Sequence, residues 1–263
     1  MKAEFHPWYF PPVDRSPHRS WGNVIRYHAS LPSTNTLGMQ LLSDGAEEGT
    51  VVITDAQTQG RGQKGTIWTS SPGENLTVSL LLRPRQIEGR LFALTQVVAI
   101  ALRDIIAALV PQEEVLIKWP NDILLNKRKV AGVLVENQWE GSLLKGSVIG
   151  MGINLNQVDF GKEIGQQATS LALVSGMPVD RKICLWSLLD RLEDEVTAMY
   201  RGEHPGRKYL SMLYGYQEPV PLKWKDGQGS YPVLGVNRHG HLAIQLSGGI
   251  RHFDLKEIEF ILS

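Results

Sequence analysis

The 263-residue chain is poor in cysteine, balanced in charge and without a long apolar run. Its one cysteine, Cys184, allows neither an intramolecular disulfide nor a cysteine metal cluster. Lys and Arg together number 27, as do Asp and Glu, so the formal net charge is zero. That balance argues against general binding to nucleic acid or to anionic membrane, which needs a basic surplus or stripe. No stretch of about 18 apolar residues occurs, and no bilayer span is expected. Met1 to Gly22 lacks the apolar core of a secretion signal and is broken by Pro7, Pro11, Pro12 and Pro17. The seven histidines are scattered, and none pair at metal-ligand spacing beside a carboxylate cluster. No internal repeat with a period of about 20–50 residues is visible. An apolar fraction of 42% is ordinary for a globular protein. Together these features predict a soluble cytoplasmic protein of one large domain, or one domain with a small appendage.

Residues 1–23 read as an irregular arm, in which Trp8, Tyr9 and Phe10 either dock on the body or stay in a mobile tail. Val24 to His28 reads as a strand. Ser33 then stands where a helix N-cap would, followed by Leu37, Leu41 and Leu42 at helical spacing. Thr50 to Thr54 and Leu76 to Leu82 read as strands, and Leu91 to Leu109 as a helix. Val115 to Lys118 is a short strand halted before Pro120. Ile123 to Leu125 and Val130 to Val135 form a hairpin about the Asn126–Arg128 turn, and Ser142 to Asn154 returns as another strand. Asp180 to Tyr200 reads as an amphipathic helix with Cys184 in its packed face. Arg83 and Arg85, flanking Pro84, read as a solvated turn. From about Leu213 short β-prone pieces alternate with turns such as Asp226-Gly227, which predicts a small all-β domain over 213–263. The main body over 24–212 mixes helices with hairpins and is α+β, or mixed α/β.

Two clusters carry chemistry. Gly60-Arg61-Gly62-Gln63-Lys64-Gly65 satisfies G-x-G-x-x-G after a strand, but Thr66 to Gly73 is no helix start, so a dinucleotide fold fails on context. A phosphate loop fails too, because no lysine follows Gly65. A flexible surface loop is the plain alternative. Close glycines nevertheless bring backbone N–H groups near an anion, and Arg61 and Lys64 add charge there. The second cluster is Lys118-Trp119-Pro120-Asn121-Asp122 with Lys129 and Gly132 beyond a tight turn. Lys118 alone could be a snorkelling surface lysine. Two cations converging on one point suit a phosphate-bearing substrate or transition state.

The ordered set of motifs resembles the biotin–protein ligases. It comprises Ser33-Thr34-Asn35, Gln57 ahead of Gly60-Arg61-Gly62, Trp68, Lys118-Trp119-Pro120-Asn121-Asp122, Lys129-Val130-Ala131-Gly132 with Val133-Leu134-Val135-Glu136, Gly150-Met151-Gly152-Ile153-Asn154 and Ala168-Thr169-Ser170-Leu171. The resemblance implies a catalytic domain like the class II aminoacyl-tRNA synthetases with a small C-terminal SH3-like β-barrel. It implies a two-step reaction: biotin and ATP, with Mg2+, give biotinyl-5′-AMP and pyrophosphate, and a lysine of a biotin carboxyl carrier domain, as in acetyl-CoA carboxylase, then takes the biotin. On the same footing Lys118 and Arg61 are the catalytic residues, with Lys118 stabilising charge on the phosphoryl oxygens. Biotin falls to Ser33, Thr34, Asn35, Gln57, Gly60, Arg61, Gly62, Gln63, Trp68, Lys129 and Gly132. ATP and the adenylate fall to Arg61, Gln63, Lys64, Lys118, Asn121, Asp122, Lys129 and Asn154. No metal is held by protein alone, and Mg2+ accompanies ATP near Asp122. Trp119 joins Trp68 as an apolar wall. The resemblance extends to monomers and homodimers alike.

Two departures stand out. The family's loop often carries further arginines where this chain has Gln63 and Thr66, which implies a weaker grip on the adenylate. Only 32 residues precede Ser33, proline-broken and too short for the DNA-binding domain of the repressor-type members, so the ligase-only type is expected. The sister lipoate and octanoate ligases usually carry an Arg-Arg-x-x-Gly-Gly-Gly stretch and a loop histidine, both missing here, and a non-catalytic biotin sensor would not need both Lys118 and Lys129. An acyl-adenylate hydrolyses when water reaches it, so a loop over residues 58–69 that closes on the intermediate is expected. Biotin plus ATP is then expected to slow proteolysis within residues 58–69, and equal cleavage with and without them removes the closing role.

Overall fold

The structure, a computed structural model, describes residue 8, residues 18–84 and residues 91–262, apart from the side chains of Lys64 and Glu163. Runs of β-branched residues and leucine bounded by turns become the strands of a seven-stranded sheet. The elements follow in the order β1 (Ile25–Leu31), α1 (Thr34–Ser43), β2 (Val51–Gln57), β3 (Leu76–Leu82), α2 (Leu91–Leu109), β4 (Val115–Lys118), β5 (Asp122–Leu125), β6 (Arg128–Glu140) and β7 (Leu143–Ile153). Next come α3 (Gly161–Ile164), α4 (Leu171–Ser175), α5 (Arg181–Tyr200), α6 (Gly206–Ser211), β8 (Pro219–Trp224), β9 (Gly227–Val236), β10 (Leu242–Leu246), β11 (Gly249–Phe253) and β12 (Ile258–Phe260). The first sheet runs β1-β2-β3-β7-β6-β5-β4 and is antiparallel except for β1 and β2, which are parallel and joined through α1.

The two faces of this sheet separate by strand alternation. Val51, Ile53, Val78 and Leu80 join the large core under α2 and α5. Val52, Leu81 and Val148 point the other way, to Leu42 and Leu37 of α1. β6 is longer than its Val130–Val135 core suggests, because it pairs with β7 from Ala131 to Glu140. β1 runs to Leu31 because β2 supplies partners as far as Gln57. By length and composition α2 is apolar enough to cross a bilayer, and half of its window is buried within the protein. Its charged pair is absorbed: Arg103 Nε donates to the Val115 carbonyl at 3.0 Å, and Asp104 pairs with Arg191 of α5 at 2.6 Å and Lys208 of α6 at 3.2 Å.

Asp180 caps α5 by accepting from the amides of Lys182 and Ile183. Cys184 is buried on that helix, and burial pushes its thiol up to about 12. Trp8 and Trp21 are buried in the main core, and Arg19 pairs with Asp194 at 2.7 Å, so the described part of the arm is docked along α5. Tyr9, Phe10 and Arg85 lie outside the described residues. Arg83 is not a solvated turn residue: its guanidinium donates to the carbonyls of Ala46, Leu42 and Lys145, tying the end of α1 to β3.

Residues 212–216 connect two sheets. Ile117 and Leu213 form a parallel bridge on the β4 edge, and Tyr216 bridges Val233 of β9. The second sheet runs β11-β10-β9-β8-β12. It is open, with β11 and β12 as its edges among the described residues. The expected closed barrel is therefore replaced by a small β-sheet domain, since closure needs a ladder between those edges. β12 has three residues and pairs with β8.

Burial pushes the Asp104 carboxyl up, but hydrogen bonds and charge from Arg191 and Lys208 outweigh it and hold it below the usual carboxylate range. Its contribution is present above the unfolded value of about 3.9 and is lost as pH falls through the lower folded value. Asp104→Asn is expected to cost about 2 kcal/mol at neutral pH. Denaturant titrations of both proteins are expected to converge toward strongly acid pH.

Candidate active site

One row of residues crosses the first sheet: Thr77 on β3 pairs with Gly152 on β7, Gly152 with Gly132 on β6, Gly132 with Asp122 on β5, and Asp122 with Lys118 on β4. Directly paired residues share a face, so this row lies on the α1 side, beyond the end of that helix. At its centre two glycines leave the sheet bare. The next row holds Ser79, Gly150 and Leu134. A cavity of about 870 Å³ stands over these rows. Its far wall comes from the second sheet, including Lys223, Gln228 and the segment from Leu255 to Leu262.

The hollow is built for a ring and for a side chain beside it. A Cβ at Gly152 would lie 2.3 Å from the Trp68 indole, and one at Gly150 would lie 2.3 Å from Asn35 Oδ1. Trp68 thus reaches the sheet only because Gly152 has no side chain, and Gly150 on the same face makes the room for Asn35. Its backbone N–H donates to Gly60 O at 3.1 Å, and Gly62 N–H donates to Thr66 O at 2.7 Å, closing the glycine loop into a hairpin with a 3-10 turn at Gln63–Gly65. A Cβ on Gly60 would strike the Trp68 carbonyl, so Gly60 shapes the loop and does not line the cavity. Ile67, bridged to Arg61 on the returning limb of the loop, is 78% exposed.

At one end of the cavity the Asp122 carboxylate lies between two ammonium groups, Lys118 Nζ at 3.0 Å and Lys129 Nζ at 2.6 Å. Burial raises the Asp122 carboxyl, but the charges of Lys129 and Lys118 and their hydrogen bonds prevail and hold it below the usual range. Lys129 Nζ also lies 5.6 Å from the centre of a Trp68 ring. Its backbone is clipped on both sides, donating to Gln167 O at 2.8 Å and accepting from Thr169 N–H at 2.9 Å. Arg61 pairs with Glu136 at 2.8 Å.

At the other end the helix α1 begins. Ser33 holds the N-cap position with extended backbone, yet its hydroxyl makes no capping bond, contrary to the expectation from sequence. Gln57 does that work: its Oε1 accepts from Thr34 N–H at 2.8 Å. Ser33 is buried in the cavity wall with its hydroxyl left over for a ligand.

Of the residues singled out from sequence, the fold brings Ser33, Thr34, Asn35, Gln57, Arg61, Gly62, Gln63, Trp68, Lys118, Asn121, Asp122, Lys129 and Gly132 around one cavity. Four of the expected residues have partners of their own within the protein. The Asn35 amide is spent within the wall, on Ser79, Leu134 O and Glu136. The Asn121 amide donates to Val133 O and braces β6. Asn154 lies away from the cavity, its amide donating to Thr169 O at 3.1 Å and its backbone holding β6 and the start of α4. Asp122 meets a lysine ammonium with each of its oxygens. The Lys64 side chain lies outside the described residues. No group of three or more metal-ligating side chains occurs among the described residues.

Thr77, Ser79 and the wall from the second sheet were missed. The first two were visible as polar interruptions at period two in Leu76-Thr77-Val78-Ser79-Leu80. The wall depends on how two sheets meet and has no local signal. Trp119 is buried, and its indole N–H donates to Gly240 O at 2.9 Å, fastening the Lys118–Asp122 turn to the second sheet. Tyr209 of α6 donates to Pro120 O from below at 3.2 Å.

The sequence model of the Biotin/lipoate A/B protein ligase family matches residues 27–154. The bifunctional ligase/repressor BirA of Bacillus subtilis is 32% identical over 243 residues, spanning 90% of this chain and 74% of that protein. The biotin–[acetyl-CoA-carboxylase] ligase of Mycobacterium tuberculosis is 29% identical over 232 residues, spanning 84% and 82%. The solved structure of the biotin protein ligase from Aquifex aeolicus in complex with biotin and ATP aligns with a TM-score of 0.74 and 26% identity, over 92% of this chain and 100% of that one. The chain belongs to the biotin/lipoate A/B protein ligase family. Its α+β fold matches the catalytic domain of the biotin protein ligases.

A methyl group at Gly152 can be accommodated only if the Trp68 ring leaves. Gly152→Ala is therefore expected to leave the far-ultraviolet dichroism unchanged while speeding proteolysis within residues 60–68.

Proposed function

We propose that the protein is an ATP-dependent biotin–protein ligase with its catalytic domain over 24–212. The observation that carries this reading is one cavity with two chemically different ends. Neutral donors and acceptors at Ser33, Thr34 and Gln57 suit a ureido ring, which has no charge to pair. Lys118, Lys129 and Arg61 at the other end suit the carboxylate and phosphate. In the first step a biotin carboxylate oxygen bonds to the α-phosphorus of ATP. The bond from that phosphorus to the bridging oxygen breaks, and pyrophosphate leaves. Negative charge grows on the phosphoryl oxygens, where Lys118 stabilises it. In the second step the amine of an acceptor lysine bonds to the acyl carbon, AMP leaves and the nitrogen loses a proton.

Asp122 holds the Lys118 and Lys129 ammonium groups convergent before the substrate arrives, so little reorganisation is needed in the transition state. Lys129 takes the biotin carboxylate and then the acyl phosphate. Arg61 and the amides of Gly62 and Gln63 close over the intermediate, and Trp68 covers the ring. Mg2+ enters as part of the ATP substrate. The C-terminal sheet corresponds to the SH3-like domain of the family in an open form, and its Lys223 lines the same cavity. The acceptor is the biotin carboxyl carrier domain of acetyl-CoA carboxylase or a related carboxylase, and the reaction is cytoplasmic.

ATP–pyrophosphate exchange with purified protein tests this reading. Exchange is expected with biotin, and Lys118→Ala is expected to lower it by about 100-fold or more. Exchange with lipoate or octanoate instead moves the protein to the sister branch. Tight biotin binding without exchange makes it a sensor.

A further inference from the structure

Arg61 is carried on the glycine loop and lines the cavity, and the partner that orients it lies outside the cavity. Glu136 lies on β6 four residues beyond Gly132, on the same face of the sheet, and does not line the cavity itself. Its Oε2 receives Arg61 Nη2 at 2.8 Å and Asn35 Nδ2 at 2.8 Å. Asn35 is in turn immobile: it is buried, its Nδ2 also donates to Leu134 O at 3.2 Å, and its Oδ1 lies 2.6 Å from Ser79 Oγ. Ser79 Oγ lies 2.7 Å from Thr34 Oγ1, and Thr34 N–H donates to Gln57 at 2.8 Å. The hydroxyl of Ser79 has one proton and gives it to one neighbour at a time. One hydrogen-bonded chain therefore runs from Gln57 and Thr34, at the ring end, to the Arg61 guanidinium at the anion end.

The pair is a poor stability device, because Arg61 is 46% exposed and Glu136 27% exposed. Its geometry serves orientation. Among the described residues only Nη2 of the guanidinium is engaged, so Nε and Nη1 keep their donors for a ligand. A guanidinium fixed by one nitrogen loses less freedom when an anion arrives than one sampling all its rotamers.

We infer that Glu136 is a positioning residue of the adenylation step: anchored by Asn35, its carboxylate holds Arg61 by one nitrogen over the cavity, leaving the other donors to meet the carboxylate and phosphate of the substrates. This rests on the ligase reading. Glu136 touches no substrate and acts through Arg61.

The test is biotin-dependent ATP–pyrophosphate exchange by the full chain, comparing wild type with Glu136→Ala, Glu136→Gln, Arg61→Ala and the Arg61→Ala, Glu136→Ala double variant. Glu136→Ala is expected to lower kcat/KM for biotin by about 10–100-fold with an unchanged Tm. In the Arg61→Ala background the same change is expected to do nothing further, because the group acted upon is gone. Glu136→Gln keeps an acceptor oxygen and is expected to recover most of the loss. An undiminished rate in Glu136→Ala, equal losses in both backgrounds, or a loss that tracks a falling Tm each overturn the assignment while the ligase reading stands. Absence of biotin-dependent exchange in the wild type overturns both.

Discussion

A sheet face seven strands wide has to be covered, and at Gly132, Gly150 and Gly152 it carries no side chains of its own. The rest of the site depends on that bare strip. α1 covers the face as far as Leu81 and Val148, where apolar side chains meet it. Past that point polar Ser79 and Thr77 replace them on β3, and the floor drops to backbone. Only an outside group can fill such a hollow. In this structure it is the Trp68 indole, brought down by the glycine loop. Packing density in the remainder of the core makes this a shaped cavity and not a defect, since fully buried leucines and valines close the opposite face.

Charge is arranged with the same economy. Two carboxylates, Asp122 and Glu136, hold three cations, Lys118, Lys129 and Arg61. Each acid is itself fixed: Asp122 by its place in the β4-β5-β6 ladder, Glu136 by Asn35. A cluster of cations with no acids among them would repel itself and scatter. Holding them paired keeps the group convergent and leaves one surplus positive charge among the five for an anionic substrate. The depressed Asp122 carboxyl means that its own hold on the two lysines persists through the neutral range and is lost only in acid.

The second sheet is tied into this centre through the least conspicuous part of the Lys118–Asp122 turn. Trp119 is buried between the sheets and donates to the Gly240 carbonyl, and Gly240 in turn approaches Phe92 so closely that a Cβ there would clash. Phe92 meets Tyr209 edge-on with ring centres 5.9 Å apart, and Tyr209 holds Pro120. The turn that carries Lys118 is thus gripped by α6 and by the second sheet together.

The strands, the long helices α2 and α5 and the change of texture near Leu213 were legible because apolar periodicity and turn residues act locally. The ordered motifs were also enough to draw Lys118, Lys129, Arg61, Gln57 and Ser33 into one expected site. What sequence alone could not decide was what each polar group spends its hydrogen bonds on. Ser33 stands at a helix start but leaves the capping to Gln57, 24 positions away. Asn121 and Asn154 sit inside motif stretches yet serve the backbone of neighbouring strands. Glu136 is visible in the sequence only as the last member of a motif, and in the fold it holds Arg61. Those outcomes follow from register across the sheet, where a partner is assigned by strand pairing and not by distance along the chain. The amino-acid sequence by itself determined which chemistry is carried and which elements carry it. The tertiary structure decided which groups remain free to act, because every buried polar atom must first find a partner and only the fold says which partners are within reach.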